Sequence, residues 1–124
     1  MANRPLISVV DDDESVRESI EGLMRSVGFA VNAFASAEEF LSSDHLSDTE
    51  CLILDVRMPG MDGIELHRRL LASRREMPVI FITAHGSDEA ARSRALANGA
   101  VDFLSKPLSE EELLSAVRKA LNSK

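Results

Sequence analysis

Five side chains are placed to share one reaction. Asp11 and Asp12 follow the apolar run LISVV, Asp55 follows CLIL, Thr83 follows PVIFI and Lys106 follows VDFLS. If these runs are parallel strands, their carboxyl ends open on a single crevice holding three carboxylates, a hydroxyl and an ammonium. Crowded carboxylates repel one another and lose hydration, so some take up protons unless cations sit among them. Lys106 offsets one charge. A divalent ion removes the remaining excess, and Mg²⁺ suits a few carboxylates together with backbone carbonyls, waters and a phosphoryl oxygen. An aspartate in such a site can act as a nucleophile and form an acyl phosphate. Asp55 is the better candidate because it stands alone at a central strand end, while Asp11 and Asp12 are paired to hold metal. Thr83 and the amide after it then bond phosphoryl oxygens, and Lys106 balances their charge.

Each residue alone has a plainer explanation. The acidic stretch from Asp11 to Glu14 also reads as N-capping favourable to a helix dipole. Thr83 alone is a strand residue, Lys106 before Pro107 a solvated loop lysine, and Asp55 the start of a turn. The conjunction at four strand ends is what points to a site.

The spacing fits strands separated by crossover helices. One strand, helix and return loop takes roughly 20 to 30 residues, since a parallel crossover alone needs a dozen or more. The interval from Asp11 to Asp55 therefore holds two units, and the next two intervals hold one each. The strand in the double interval, FAVNAF at Phe29 to Phe34, carries no reactive side chain at its end. An α/β doubly wound parallel sheet of order 2-1-3-4-5 puts that strand at an edge, beyond the switch point, where none is needed. LISVV, CLIL and PVIFI are continuously apolar, as strands covered on both faces must be, whereas FAVNAF and VDFLSK mix in polar residues as edge strands do. Val16, Ile20, Leu23, Met24 and Val27 share one helical face and Gly28 is a plausible C-terminal cap, so helix one runs from about Glu14 to Val27. Ser36 with Glu39, Asp62 with Glu65 and Ser109 with Glu112 have the spacing of capping boxes and mark the starts of helices two, three and five. Helix four, between Gly86 and Gly99, has mostly alanines for apolar side chains, with Leu96 the single large one. It buries less apolar area than its neighbours and should shift most easily.

At 124 residues, 44% apolar and 28% charged, the chain fits one soluble globular domain spanning residues 1–124. Its formal charge of -7 argues against nucleic-acid or acidic-membrane binding. Cys51 is the lone cysteine, which rules out an internal disulfide and suits a reducing cytoplasm. No stretch reaches the roughly 18 apolar residues of a membrane span, and MANRP lacks the apolar core of a signal peptide.

VVDDDESVR, LILDVRMPGMDG, VIFITAHG and GAVDFLSKP resemble, in order and over nearly the whole chain, the signature segments of bacterial response-regulator receiver domains. Finer detail, including GFAV, MPGMDG, TAHG and AVDFLSKP, is similar to FixJ-type receivers, which often precede a DNA-binding domain. The resemblance implies a flavodoxin-like (βα)5 fold and a phosphorylated aspartate at Asp55. It makes Asp11 and Asp12 the acidic pair, with Asp12 and Asp55 direct Mg²⁺ ligands, the Arg57 carbonyl a third, and Mn²⁺ an alternative ion. Thr83 and Lys106 match the two phosphoryl contacts, with a cis bond between Lys106 and Pro107. Thr83 and Phe103 match the switch residues, and Arg57 and His85 the two positions that affect phosphoryl lifetime.

The expected function is a cytoplasmic signalling receiver, not a metabolic enzyme. It takes a phosphoryl group from a sensor histidine kinase or phosphotransfer protein and later loses it to water. A weak phosphorylation-dependent homodimer, disfavoured by salt, is expected through helix four and strand five, where Asp88, Glu89, Arg92, Arg94 and Asp102 could pair across a two-fold axis. Two other classes fit less well. Aspartate-nucleophile phosphatases of the haloacid-dehalogenase type carry a second aspartate where this chain has Arg57. In a nucleotide- or flavin-binding domain, Asp11 to Asp13 would repel the phosphate.

Overall fold

The apolar runs become strands because their β-branched and leucine side chains can be buried on both faces of a sheet. A computed structural model of the chain describes residues 4–84 and 89–122. Five strands, β1 (Leu6–Val10), β2 (Ala30–Phe34), β3 (Cys51–Asp55), β4 (Val79–Thr83) and β5 (Asp102–Ser105), alternate with five helices, α1 (Glu14–Ser26), α2 (Ala37–Leu41), α3 (Gly63–Ala72), α4 (Glu89–Ala97) and α5 (Glu110–Asn122). All pairings are parallel and the order is β2-β1-β3-β4-β5, so the doubly wound 2-1-3-4-5 sheet is as read, with the two mixed runs at the edges. The ladder runs one residue beyond two of the apolar runs: Asp55 pairs with Ile82 and Thr83 with Ser105, so both are the last residues of their strands.

Two apolar layers sandwich the sheet. On one face Ile7, Val9, Ile53, Ile80 and Ile82 pack against Ile20 and Met24 of α1 and Leu113, Ala116, Val117 and Ala120 of α5. On the other, Val10, Leu52, Leu54 and Phe81 meet Ala37 and Phe40 of α2, Leu66 and Leu70 of α3, and Ala91 and Ala95 of α4. Full burial of a side chain such as Phe40 or Phe81 is worth about 1.5–3 kcal/mol; α4 contributes only alanines. Ser8, the one polar residue inside β1, is satisfied by the Thr49 hydroxyl at 2.6 Å, and that hydroxyl donates to the His45 carbonyl at 2.9 Å.

Local chemistry sets the helix ends. Ser36, Asp62 and Ser109 accept from the backbone N–H of Glu39 (3.1 Å), Glu65 (2.9 Å) and Glu112 (3.3 Å), the forward half of each expected capping box. α1 closes in a Schellman arrangement: Gly28, at φ 93°, donates to Arg25, and Phe29 donates to Met24. α4 closes in the same way through Gly99 at φ 91°, with Gly99 donating to Leu96 and Ala100 to Ala95. α3 uses the same bonds, from Arg74 to Leu71 and from Arg75 to Leu70, but there the left-handed residue, at φ 60°, is Arg74.

Candidate functional site

The strand ends do converge. Asp11 follows β1 and is buried; its carboxylate accepts from the Asp13 N–H at 2.9 Å, and its own carbonyl accepts from the Arg17 guanidinium at 2.8 Å. Asp55 and Thr83, ending the two central strands, are also buried. Lys106 is drawn in from the end of β5 by its N–H, which donates to the Thr83 carbonyl at 2.7 Å and carries the β4–β5 ladder one step further. Its ammonium stands 2.9 Å from Asp11 Oδ2 and 3.6 Å from Asp55 Oδ1. Asp11 Oδ2 has no other polar partner among the described residues. The Lys106–Pro107 bond is cis.

Asp12 is exposed, yet it offers a carboxylate oxygen within 4.8 Å of those of Asp11 and Asp55. Asp13 turns away to serve as the N-cap of α1, accepting from Ser15 and Val16, and these bonds hold its carboxyl below the usual range. The acidic stretch thus divides its work: Asp13 caps, as the plainer explanation had it, while Asp11 and Asp12 enter the cluster.

Three carboxylates against one ammonium leave the cluster under-compensated. Burial first, and then the Asp11 charge, push Asp55 from its ordinary 3.8 up to about 7; Lys106 pulls the other way without overcoming them. Burial disfavours the Lys106 ammonium, but the hydrogen bond to Asp11 and the charges of Asp55, Asp11 and Asp13 outweigh it, so its pKa is raised and it stays charged. A half-protonated, buried carboxylate beside two others is a group that a divalent cation would ionise, and the oxygen-rich donor set suits a hard ion.

The β3–α3 loop that carries Arg57 is pinned at both ends. Gly63 donates its N–H to the Val56 carbonyl at 2.9 Å, and a Cβ on Gly63 would fall 2.1 Å from the Asp55 carbonyl oxygen, so only glycine fits where α3 starts. In the middle of the loop, Glu38 of α2 accepts the Met61 N–H at 3.1 Å. Sequence reasoning did not find this contact, because a glutamate in the first turn of a helix already has an explanation in the helix dipole.

Phe103 is buried on β5, its ring 6.2 Å from that of Phe81, and its carbonyl accepts from Arg92 of α4 at 3.4 Å. Phe81 in turn meets the ring of His67 edge-on at 5.5 Å. His67 was also missed. It is buried on α3, burial lowers its pKa, and its Nδ1 has no partner among the described residues. The signal was available: positions 63, 66, 67 and 70 form one helical stripe, which places His67 among core residues. His85 and Asp88 lie outside the described residues.

The family model for the response regulator receiver domain matches residues 7–118. The chain belongs to that family. The receiver is 47% identical over 116 residues to the response regulator protein TodT of Pseudomonas putida, an alignment covering 94% of this chain and 51% of TodT. Among solved structures it is similar to response regulator StyR, with TM-score 0.89 and 46% identity over 98% of this chain and 61% of that one. It is also similar to FixJ-N, with TM-score 0.87 and 36% identity over 99% and 98% of the two chains. These likenesses make it a FixJ-type receiver of a two-component system. The chain spans about half the length of the first of the relatives it matches.

Proposed function

We propose that Asp55 is the phosphoacceptor of the receiver and that it takes its phosphoryl group from a sensor histidine kinase or phosphotransfer protein in the cytoplasm. The single observation that carries this reading is the convergence of Asp11, Asp12, Asp55 and Lys106 at the strand ends, with Asp55 buried and electrostatically loaded and Thr83 ending the neighbouring strand. A Mg²⁺ ion held by Asp11, Asp12, Asp55 and the Arg57 carbonyl would supply positive charge to the carboxylates and to the incoming phosphoryl oxygens. Asp55, ionised, attacks the phosphorus of phosphohistidine. The new O–P bond forms as the P–N bond breaks, and the imidazole keeps the bonding pair and takes up a proton. The Thr83 hydroxyl and the Lys106 ammonium stabilise the transferred oxygens, and water later hydrolyses the acyl phosphate. Arg57 and His85 match the two variable positions that, by the family resemblance, affect the phosphoryl lifetime.

The reading extends to output. The Thr83 hydroxyl moves toward the phosphoryl oxygens, Phe103 turns into the space it leaves, and α4, whose buried side chains are Ala91 and Ala95, follows. A homodimer through α4 and β5 passes the state on. Residues 1–124 make one receiver domain. Incubation with Mg²⁺ and a small acyl phosphate should add one phosphoryl group to the wild type and none to Asp55→Asn by mass spectrometry. Equal modification of both proteins would overturn the assignment.

A further inference from the structure

We propose that Glu38 of α2 is a positioning residue for the β3–α3 loop, holding it in the shape that presents the Arg57 carbonyl beside Asp55. The inference rests on the reading of that carbonyl and Asp55 as parts of a divalent-cation site.

Three observations lead there. First, the position of Glu38 is fixed from both flanks. Ser36 caps α2 through the Glu39 N–H at 3.1 Å, Ala37 and Phe40 are buried, and the Phe40 ring meets Phe34 of β2 edge-on at 5.4 Å. A helix of five residues would otherwise be marginal, so this anchoring makes its first turn a rigid base for the carboxylate. Second, Glu38 Oε2 reaches across 23 positions of sequence to accept the Met61 N–H at 3.1 Å. The bond is charge-assisted, at an exposed position. Third, the loop is shaped to receive it. Gly60 adopts the left-handed φ of 76°, and a Cβ there would lie 3.0 Å from the same Oε2.

The loop's ends are held by Gly63 N–H on the Val56 carbonyl and by Asp62 capping α3. Among the described residues, Glu38 gives its middle a side-chain hydrogen bond, beside the buried Met58. Without it, Pro59 to Met61 would lose that tether, and the Arg57 carbonyl would be held from one side, by the Arg57 N–H on the Asp55 carboxylate and the buried Met58, but not from the other. Metal sites depend on such outer contacts, which fix ligand orientation without touching the ion.

The test is Mg²⁺ titration by calorimetry of the wild type, Glu38→Gln and Glu38→Ala, with Met61 amide exchange measured in EDTA. Glu38→Ala should bind Mg²⁺ about tenfold more weakly, and Glu38→Gln, whose amide oxygen still accepts from Met61, within about twofold of wild type. Met61 should exchange faster in Glu38→Ala alone. Should Glu38→Ala unfold, Glu38→Asp, which keeps the charge and shortens the reach to the Met61 N–H by one methylene, should give the same loss. Wild-type affinity in Glu38→Ala would overturn the inference. So would equal losses in the Ala and Gln variants, because the effect would then belong to charge and not to the hydrogen bond. A folded wild type that binds no Mg²⁺ would overturn the cation site itself.

Discussion

Asp55 carries a stability cost that depends on pH. Its carboxyl is raised from 3.8 to about 7 in the native state, by burial first and by Asp11 next. Between those values the folded protein keeps a proton that the unfolded chain has released. The stabilisation is therefore complete below 3.8 and is lost as pH rises through about 7. A tenfold difference in proton affinity between the folded and unfolded chain is worth about 1.4 kcal/mol, so the effect is of the order of a few kcal/mol. Asp55→Asn removes this titration. In EDTA it should be more stable than wild type by urea unfolding at pH 8, with the gap narrowing toward pH 5; a gap independent of pH would contradict the assignment. Saturating Mg²⁺ should close the gap at pH 8 by stabilising the ionised wild type. The residues that meet in the cluster were legible in the sequence, because each directly follows or ends an apolar run. How the acidic stretch divides was not. Asp11, Asp12 and Asp13 are chemically identical, and only the turn into α1 decides which one caps and which ones face the crevice.

At the scale of elements, the strands and the starts of α1, α2, α3 and α5 were readable to within a residue, since apolar runs and Ser or Asp followed by Glu carry direct physical signals, whereas α4 was bounded only by Gly86 and Gly99. Helix ends were readable only where glycine stands. Gly28 announces the close of α1, but α3 closes through Arg74, a residue type that gives no hint of a left-handed conformation. Holding a non-glycine residue there costs roughly 1–2 kcal/mol, partly offset because glycine loses more backbone freedom on folding. Arg74→Gly should therefore raise stability by about 0.5–1 kcal/mol. Thermal unfolding read together with unchanged phosphorylation of Asp55 would check it, since Arg74 follows the carboxyl-terminal end of α3, while Asp55 sits beside the start of that helix at Gly63. The contact between Glu38 and Met61 escaped the sequence for another reason: it joins two segments far apart in the chain, and neither residue type demands the other.

At the scale of the whole molecule, the helices grip the sheet unequally. α1 and α5 are anchored by Ile20, Met24, Leu113 and Val117, whereas α4 buries two alanines, adds the Arg92 bond to the Phe103 carbonyl and leaves Leu96 exposed. Dimerisation on phosphorylation should use that loosely held face. Sedimentation across a concentration series should show a dimer with beryllium fluoride and Mg²⁺ and a monomer without them, while a monomer under both conditions would assign output to another surface. The bond from Lys106 N–H to the Thr83 carbonyl has a further consequence. Because strand side chains alternate between faces, the ladder settles which way Lys106 points by odd and even count, not by distance. Deleting one residue within Asp102–Ser105 would turn the ammonium to the wrong side of the sheet, while the crossover from β4 to β5 can lengthen or shorten without disturbing it. The site is specified by parity in the strands, and the chain is free to vary wherever parity is not counted.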